Sequence, residues 1–207
     1  MYKKFIKRLI DITIGLLGLL FMIPLLLIIS PIIYFGDRGP IFYNAERRGL
    51  NGEVFKMYKF RSMYVNAPDI RNDDSSAYSS DTDSRVTRVG RILRKTSLDE
   101  IPQFLNVLKG DMSLIGPRPN LVSKPLDSFD EFELKRITVR PGITGYNQSY
   151  FRNSISQKEK YVNDCYYVDH ISFVFDVKIF LKTVKTVLLV KNINTNSIKE
   201  KGNELGN

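Results

Sequence analysis

The sequence predicts an α+β chain that is predominantly helical: an N-terminal re-entrant membrane helix, then a compact cytoplasmic domain with a small β element and interfacial amphipathic helices. Three observations carry this reading. Of the 24 uncharged positions from Ile12 to Phe35, 18 are apolar, and basic residues flank the run on both sides. Beyond it, apolar residues recur mostly at helical spacing, and only two short segments look like strands.

As a continuous helix the apolar run would measure about 36 Å, enough for a hydrocarbon layer of about 30 Å. A cleaved leader also begins basic and then apolar. This run is long and no small-residue cleavage site follows it, so it is expected to stay in the mature protein. Lys3, Lys4, Lys7 and Arg8 precede it, and Arg38, Arg47, Arg48, Lys56, Lys59 and Arg61 follow it. Lys and Arg mark the cytoplasmic side, so both ends read as cytoplasmic, which a straight crossing cannot provide. A helix that turns back needs a breaker near its middle, and Pro24, or Ser30 with Pro31, supplies one. A simple spanning helix with tolerated prolines stays open as the other reading. Residues 1–36 are assigned to the anchor, 37–191 to the cytoplasmic domain and 192–207 to a polar tail with no expected order.

Along the domain, turn residues from Gly36 to Gly52 surround the apolar stretch Ile41 to Tyr43, and VFKMYKF (54–60) alternates apolar and basic residues. These read as two short strands joined by a turn. Pro68 to Asp83 holds five aspartates without apolar periodicity and reads as a solvated surface loop. Helical patterns follow from Thr87 to Lys95, Asp99 to Leu108, Ser128 to Arg136, Ser156 to Val168 and Ser172 to Val190. In the last, Phe173, Val177, Phe180, Val184 and Val187 form one stripe and Lys178, Lys182 and Lys185 another. Such a basic amphipathic helix either packs on a core or lies in a membrane interface with its lysines toward anionic headgroups.

Composition narrows the function classes. Lys and Arg number 31 against 22 acids, a formal charge of +9, which favours anionic partners. The single cysteine, Cys165, excludes an internal disulfide, and the single histidine, His170, excludes a multi-histidine zinc site. Both are expected as packed side chains on one helix. Any metal should be a hard, oxygen-bound one.

Chemistry concentrates between Arg91 and Pro119, where an acid pair lies between basic clusters. Ser97 is a good helix N-cap and Glu100 stands three residues later, so a reciprocal capping box is expected there. Asp99 would then sit in the first helical turn, where backbone N–H groups favour its charged form and attract a phosphate. An ionised carboxylate beside an anion site suits a metal ligand, a general base or a nucleophile on phosphorus. Arg94, Lys95, Arg118, Arg140 and Arg152 supply cations for a ligand with several phosphates. Arg118 lies between two prolines and Arg140 precedes Pro141 and Gly142, so both stand on stiff backbone.

Across nearly its whole length the chain carries KRLID (7–11), the interrupted apolar segment, YKFRSM (58–63), KTSLDEIPQFLNVLKGDMSLIGPRP (95–119), RPGITG (140–145), RNSIS (152–156) and DCYYVDHISFVFDVKIFLKTV (164–184). On these motifs it resembles the bacterial sugar transferase family, small monotopic phosphoglycosyl transferases that start glycan assembly on a polyprenyl phosphate. The resemblance implies transfer of a phosphosugar from a UDP-sugar to polyprenyl (undecaprenyl) phosphate with release of UMP, the first membrane step toward a capsule, O-antigen, exopolysaccharide or glycoprotein. By the same match Asp99 is the nucleophile that forms a covalent phosphosugar intermediate and also a ligand of Mg2+, while Glu100 supports the site or handles protons. Lys59, Arg94 and Arg118 match substrate-binding basic residues, Arg140 and Arg152 join them as candidate phosphate cations, and Asp164 and Asp176 match supporting acids. The implied partners are the UDP-sugar, polyprenyl phosphate, membrane lipids and downstream glycosyltransferases, with no nucleic acid, and the implied place is the cytoplasmic face of the bacterial inner membrane.

Two segments depart from the family pattern. Ile23 stands before Pro24 where the family often has serine, and GYNQSYFRNSIS differs from the GxAQVxGRNxIS form, so the sugar is left open. From a different class, a membrane-tethered module holding nucleic acid or anionic lipid explains the charge and the anchor but gives no reason for an acid pair among arginines.

Overall fold

The structure, a computed structural model, describes residues 1–70, 78, 80, 82–151 and 154–188. Arg152, most of the acidic loop and the C-terminal tail therefore lie outside the described residues. A short π-helical turn, Tyr2–Ile6, leads into α1, Lys7–Asp37, which continues through both Pro24 and Pro31, so the break expected at one of them is not seen: each proline removes one intrahelical hydrogen bond without ending the helix. This helix is long and apolar enough to cross a membrane. A left-handed Arg38 ends it, with its N–H on the Tyr34 carbonyl.

One stripe of α1 lies along the rest of the chain. Asp11, Gly15, Met22, Ile29 and Ile33 are its buried positions, spaced so that they share a face. Gly18 belongs to the same face: a Cβ there would stand 2.6 Å from the Phe104 ring, and one at Gly15 2.9 Å from Leu108. The glycines let a second helix, α3 (Gln103–Lys109), settle against α1. Farther along, Ile29 and Ile33 join Phe60 and Leu93 in a buried cluster. The remaining faces of α1 carry exposed Leu16, Leu17, Leu20, Phe21 and Leu27.

Both ends of α1 are tied to the same domain. Near the start, Lys7 Nζ lies 2.7 Å from Asp176, whose carboxylate also accepts from the hydroxyls of Tyr2 and Tyr167. Arg8 donates to the carbonyls of Val107 and Leu108 at the end of α3. At the other end Asp37 pairs with Arg61 through two N–H donors.

Strands β1 (Phe42–Arg48) and β2 (Val54–Phe60) form an antiparallel hairpin, with β4 (Asn120–Leu121) on the free edge of β1. The edge of β2 is closed by a side chain. Buried Asn106 accepts from the Tyr58 N–H at 2.9 Å and donates to the Lys56 carbonyl at 2.7 Å, imitating a neighbouring strand. A second, parallel pair joins β3 (Ser113–Ile115) to β5 (Gly142–Thr144). At that pair Gly116 and Gly142 meet backbone to backbone: a Cβ on Gly142 would stand 2.1 Å from the Gly116 nitrogen.

The other helices are α2 (Arg88–Thr96), α4 (Glu131–Arg136), α5 (Tyr146–Tyr150), α6 (Gln157–Asp169) and α7 (Phe173–Leu188). Ser156 and Glu159 cap α6 reciprocally, and Asp130 and Glu133 do the same for α4. In α7 the apolar stripe Phe173, Val177, Phe180 and Val184 is exposed, and Asp176 and Ile179 face the core instead. The core-packing reading of that stripe is thus corrected. Cys165 is buried, whereas His170 is exposed at the end of α6, stacked on Tyr166, so its packed reading is corrected too.

Candidate active site

The expected capping box at Ser97 is absent. Ser97 has left-handed φ of 58° and ends α2, giving its N–H to the last carbonyls of that helix, and its side chain makes no cap bond. The chain then makes one 3-10 turn, Leu98–Glu100, before α3 begins. The helix expected from Asp99 therefore starts later, and Asp99 sits in the tight turn between two helices rather than at a capped helix start. The reason is a competing partner for Glu100, whose Oε1 accepts from Lys59 Nζ at 2.5 Å.

Each member of this group has a local reason for its place. Lys59 projects from β2, which Asn106 fixes to α3. Arg94 lies in the last turn of α2, with Nε donating to Ser62 Oγ at 2.9 Å. That bond is possible because α2 lies hard against the segment after β2. Thr87 caps α2 by accepting from the Gly90 N–H and gives its own N–H to the Ser62 carbonyl. A Cβ on Gly90 would stand 1.9 Å from that same carbonyl oxygen, so any other residue would push α2 away.

Asp99 is 8% exposed. Burial pushes its carboxyl up to about 6; Lys59 and Arg94 pull it back and the charge of Glu100 adds to the rise. Burial likewise holds Arg94 below the ordinary guanidinium value, with Asp99 opposing. The result is an acid pair of unequal environment: a buried carboxyl and a half-buried one already held by a lysine. Such an arrangement can present one poorly solvated carboxylate to an electrophile while cations flank it.

Among the described residues no group of three or more His, Cys, Asp or Glu side chains gathers to hold a metal. A hard divalent ion at the dyad would have one or two carboxylates from the protein and would need phosphate oxygens or water for the rest. That donor set suits Mg2+, which takes few protein ligands and shares substrate phosphates.

The structure thus brings together Lys59, Arg94, Asp99 and Glu100. The other described candidates make their contacts elsewhere, and Arg152 lies outside the described residues. Arg118 is exposed and lines a small hollow with Arg48, Asn120 and Arg136. Arg140 Nε donates to the Gly110 carbonyl at 2.8 Å, at the opposite end of α3 from the dyad, where with Arg8 it meets the negative end of the helix. Asp164 is buried against Arg136, whose guanidinium also reaches Asn120, the Arg118 carbonyl and the face of Tyr161. Asp176 binds Tyr2, Lys7 and Tyr167, so it fastens the start of α1. Sequence reasoning missed Ser62, Asn106, Asp11 and Arg136. Asp11 accepts from Ser113 Oγ and the Leu114 N–H and so pins α1 to β3. A charge at an edge of an apolar run was the one available signal for it.

A model of the bacterial sugar transferase family matches residues 2–190. The chain is 41% identical over 188 residues to the uncharacterized sugar transferase EpsL of Bacillus subtilis (strain 168), covering 91% of this chain and 90% of that one. It is 40% identical over 191 residues to the galactosyl transferase CpsE of Streptococcus agalactiae, covering 88% of this chain and 42% of that protein. It is also 40% identical to the UDP-N-acetylgalactosamine-undecaprenyl-phosphate N-acetylgalactosaminephosphotransferase of Aeromonas hydrophila over 190 residues, covering 89% of this chain and 44% of that one. The chain therefore spans less than half of the length of these last two relatives.

Proposed function

Because the chain belongs to the bacterial sugar transferase family, we propose that it transfers a phosphosugar from a UDP-sugar to polyprenyl phosphate, releasing UMP. The relatives' names support an undecaprenyl phosphate acceptor. The observation that carries the reading is the setting of Asp99: a buried carboxylate between Lys59 and Arg94, on a domain built along an apolar helix.

Asp99 attacks the phosphorus that bears the sugar. The bond from that phosphorus to the oxygen bridging to UMP breaks, UMP leaves with the electron pair, and an aspartyl phosphosugar remains. A phosphate oxygen of the acceptor lipid then attacks the same phosphorus, the carboxylate leaves as Asp99, and a polyprenyl diphosphosugar is formed. Burial of Asp99 removes the water that would blunt the nucleophile and hydrolyse the acyl phosphate. Arg94 and Lys59 balance charge on the transferring phosphoryl group. Lys59 also pairs with Glu100, so its charge is shared between the two carboxylates and is not spent wholly on Asp99. Mg2+, held by Asp99 and the donor's phosphate oxygens, would supply neutralisation of the leaving diphosphate charge.

The anchor fits this chemistry. A polyprenyl carrier stays in the bilayer and a UDP-sugar stays in water, so the site must lie at the interface. We infer that α1 enters and leaves the membrane on the cytoplasmic face of the inner membrane. The ties at Lys7 and Asp37 to one domain support it, as do the large apolar side chains exposed along α1 and α7. The test is UMP release by the purified protein from a panel of UDP-sugars with undecaprenyl phosphate and Mg2+. Activity with at least one donor that Asp99→Asn abolishes supports the reading, and UMP release unaffected by Asp99→Asn overturns the nucleophile.

A further inference from the structure

A groove of about 690 Å³ opens between the end of α1 and the start of α2. Its two walls differ in chemistry. Ile32, Ile33 and Phe35 of α1 form a hydrocarbon wall, and Tyr64 and Arg88 stand on the opposite one. Ile32 is 46% and Phe35 75% exposed, so the apolar wall is open to an occupant. At Gly36 an added Cβ would meet nothing within 4 Å, which leaves the mouth clear. Arg61 also lines the groove, but its guanidinium is taken by Asp37 and the Pro40 carbonyl. Arg88 is the exposed cation of that wall.

The occupant must therefore combine a hydrocarbon chain with an anionic head. A nucleotide or a free sugar has no use for the apolar wall. The wall is continuous with exposed Leu27, Ile28 and Ile32 on α1, so a chain lying on it can follow the helix into the bilayer. We propose that this groove docks the acceptor polyprenyl phosphate, its chain along Ile32 and Phe35 and its phosphate at Arg88 beside Tyr64.

This rests on the phosphoglycosyl transfer reading and adds to it a place for the second substrate. Helix α2 connects the two sites. It carries Arg88 as its first residue and Arg94 in its last turn, about 9 Å apart along the axis. A lipid held at Arg88 thus waits about a nanometre from the cations around Asp99 without occupying the donor's place. That separation suits a cycle in which UMP must leave before the acceptor reacts.

The test uses the full chain in liposomes and a photoreactive benzophenone analogue of polyprenyl phosphate. Labelling of peptides containing Ile32–Phe35 or Tyr64 is expected, reduced by Arg88→Glu and competed by undecaprenyl phosphate but not by phosphatidylglycerol. In steady state, Arg88→Glu and the groove-filling Ile32→Trp should each raise KM for undecaprenyl phosphate by about five-fold or more, with KM for the UDP-sugar changed by less than about two-fold. Labelling elsewhere, equal competition by phosphatidylglycerol, or an unchanged acceptor KM in both variants overturns the groove. Failure of the parent reading looks different: the wild-type chain would release no UMP from any UDP-sugar, whatever the label does.

Discussion

Lys59 Nζ lies 2.5 Å from Glu100 Oε1, and this contact fastens β2 to the turn that carries Asp99. It also sets the charge around the proposed nucleophile. In the proposed mechanism Asp99 has to be ionised to attack phosphorus, and burial pushes its carboxyl up to about 6, so activity should fall as pH drops through that value. Lys59 favours the ionised form and Glu100 opposes it. Lys59→Met is therefore expected to move the acid limb of kcat/KM to higher pH, and Glu100→Gln to lower pH. Profiles of UMP release against pH check both signs, and displacement in the same direction would refute the arrangement.

The same burial bears on stability. The folded-state carboxyl of Asp99 lies above its unfolded value of 3.8, so its contribution favours folding below about pH 4 and is lost as pH rises through about 6. At pH 7.5 the buried charge is a cost, on the order of 3 kcal/mol for a shift of this size. Asp99→Asn should then abolish UMP release while raising the melting temperature at pH 7.5, with the gain shrinking toward pH 4. A variant less stable at pH 7.5 would show that the carboxylate is well compensated.

Local signals were read correctly where the partner is close in sequence. The helices expected from Thr87 and Ser156 begin one residue later with those residues as their caps, Ser156 together with Glu159, and the alternation of VFKMYKF became β2. The same capping pattern misled at Ser97 because Glu100 finds Lys59, 41 residues away. In α7 the stripe that resembled a core face points outward, since the inward face is chosen by Asp176, whose partners Tyr2 and Lys7 stand 174 and 169 residues away. The parallel pair β3–β5 has three residues per strand, too few for any periodicity. The dyad and its flanking cations were visible as residue types, but only the structure separates Arg94 and Lys59 beside it from Arg140 at the far end of α3.

Arg136 and Asp164 form a buried pair with side chains 4% and 3% exposed, and Arg136 also holds the Arg118 carbonyl and Asn120. Removing one partner strands the other charge. Arg136→Met should destabilise the protein by about 3–5 kcal/mol. Adding Asp164→Asn should recover part of that loss, because asparagine keeps an acceptor for Asn147 and carries no charge. Denaturant unfolding of the single and double variants measures the coupling, and additive losses would place the two residues in separate networks.

The ties of α1 make a prediction about sidedness. Its 31 residues measure about 46 Å along the axis, longer than a hydrocarbon layer of about 30 Å. If α1 crossed straight through, Lys7 with Asp176 and Asp37 with Arg61 would stand on opposite faces, and the contacts of Asp11, Gly15 and Gly18 with β3 and α3 would have to break. Losing those bonds would leave Asp11 charged in hydrocarbon and the acceptors at the end of α3 without Arg8, each a cost of several kcal/mol. An α1 whose two ends stay on one face of the membrane keeps all of them. Cysteines placed at exposed Lys3 and Asn51 should therefore both react with an impermeant maleimide in inverted vesicles and neither in intact cells, with little background from buried Cys165. Reaction of the two positions from opposite sides would reject re-entry and with it the placement of the site at one interface.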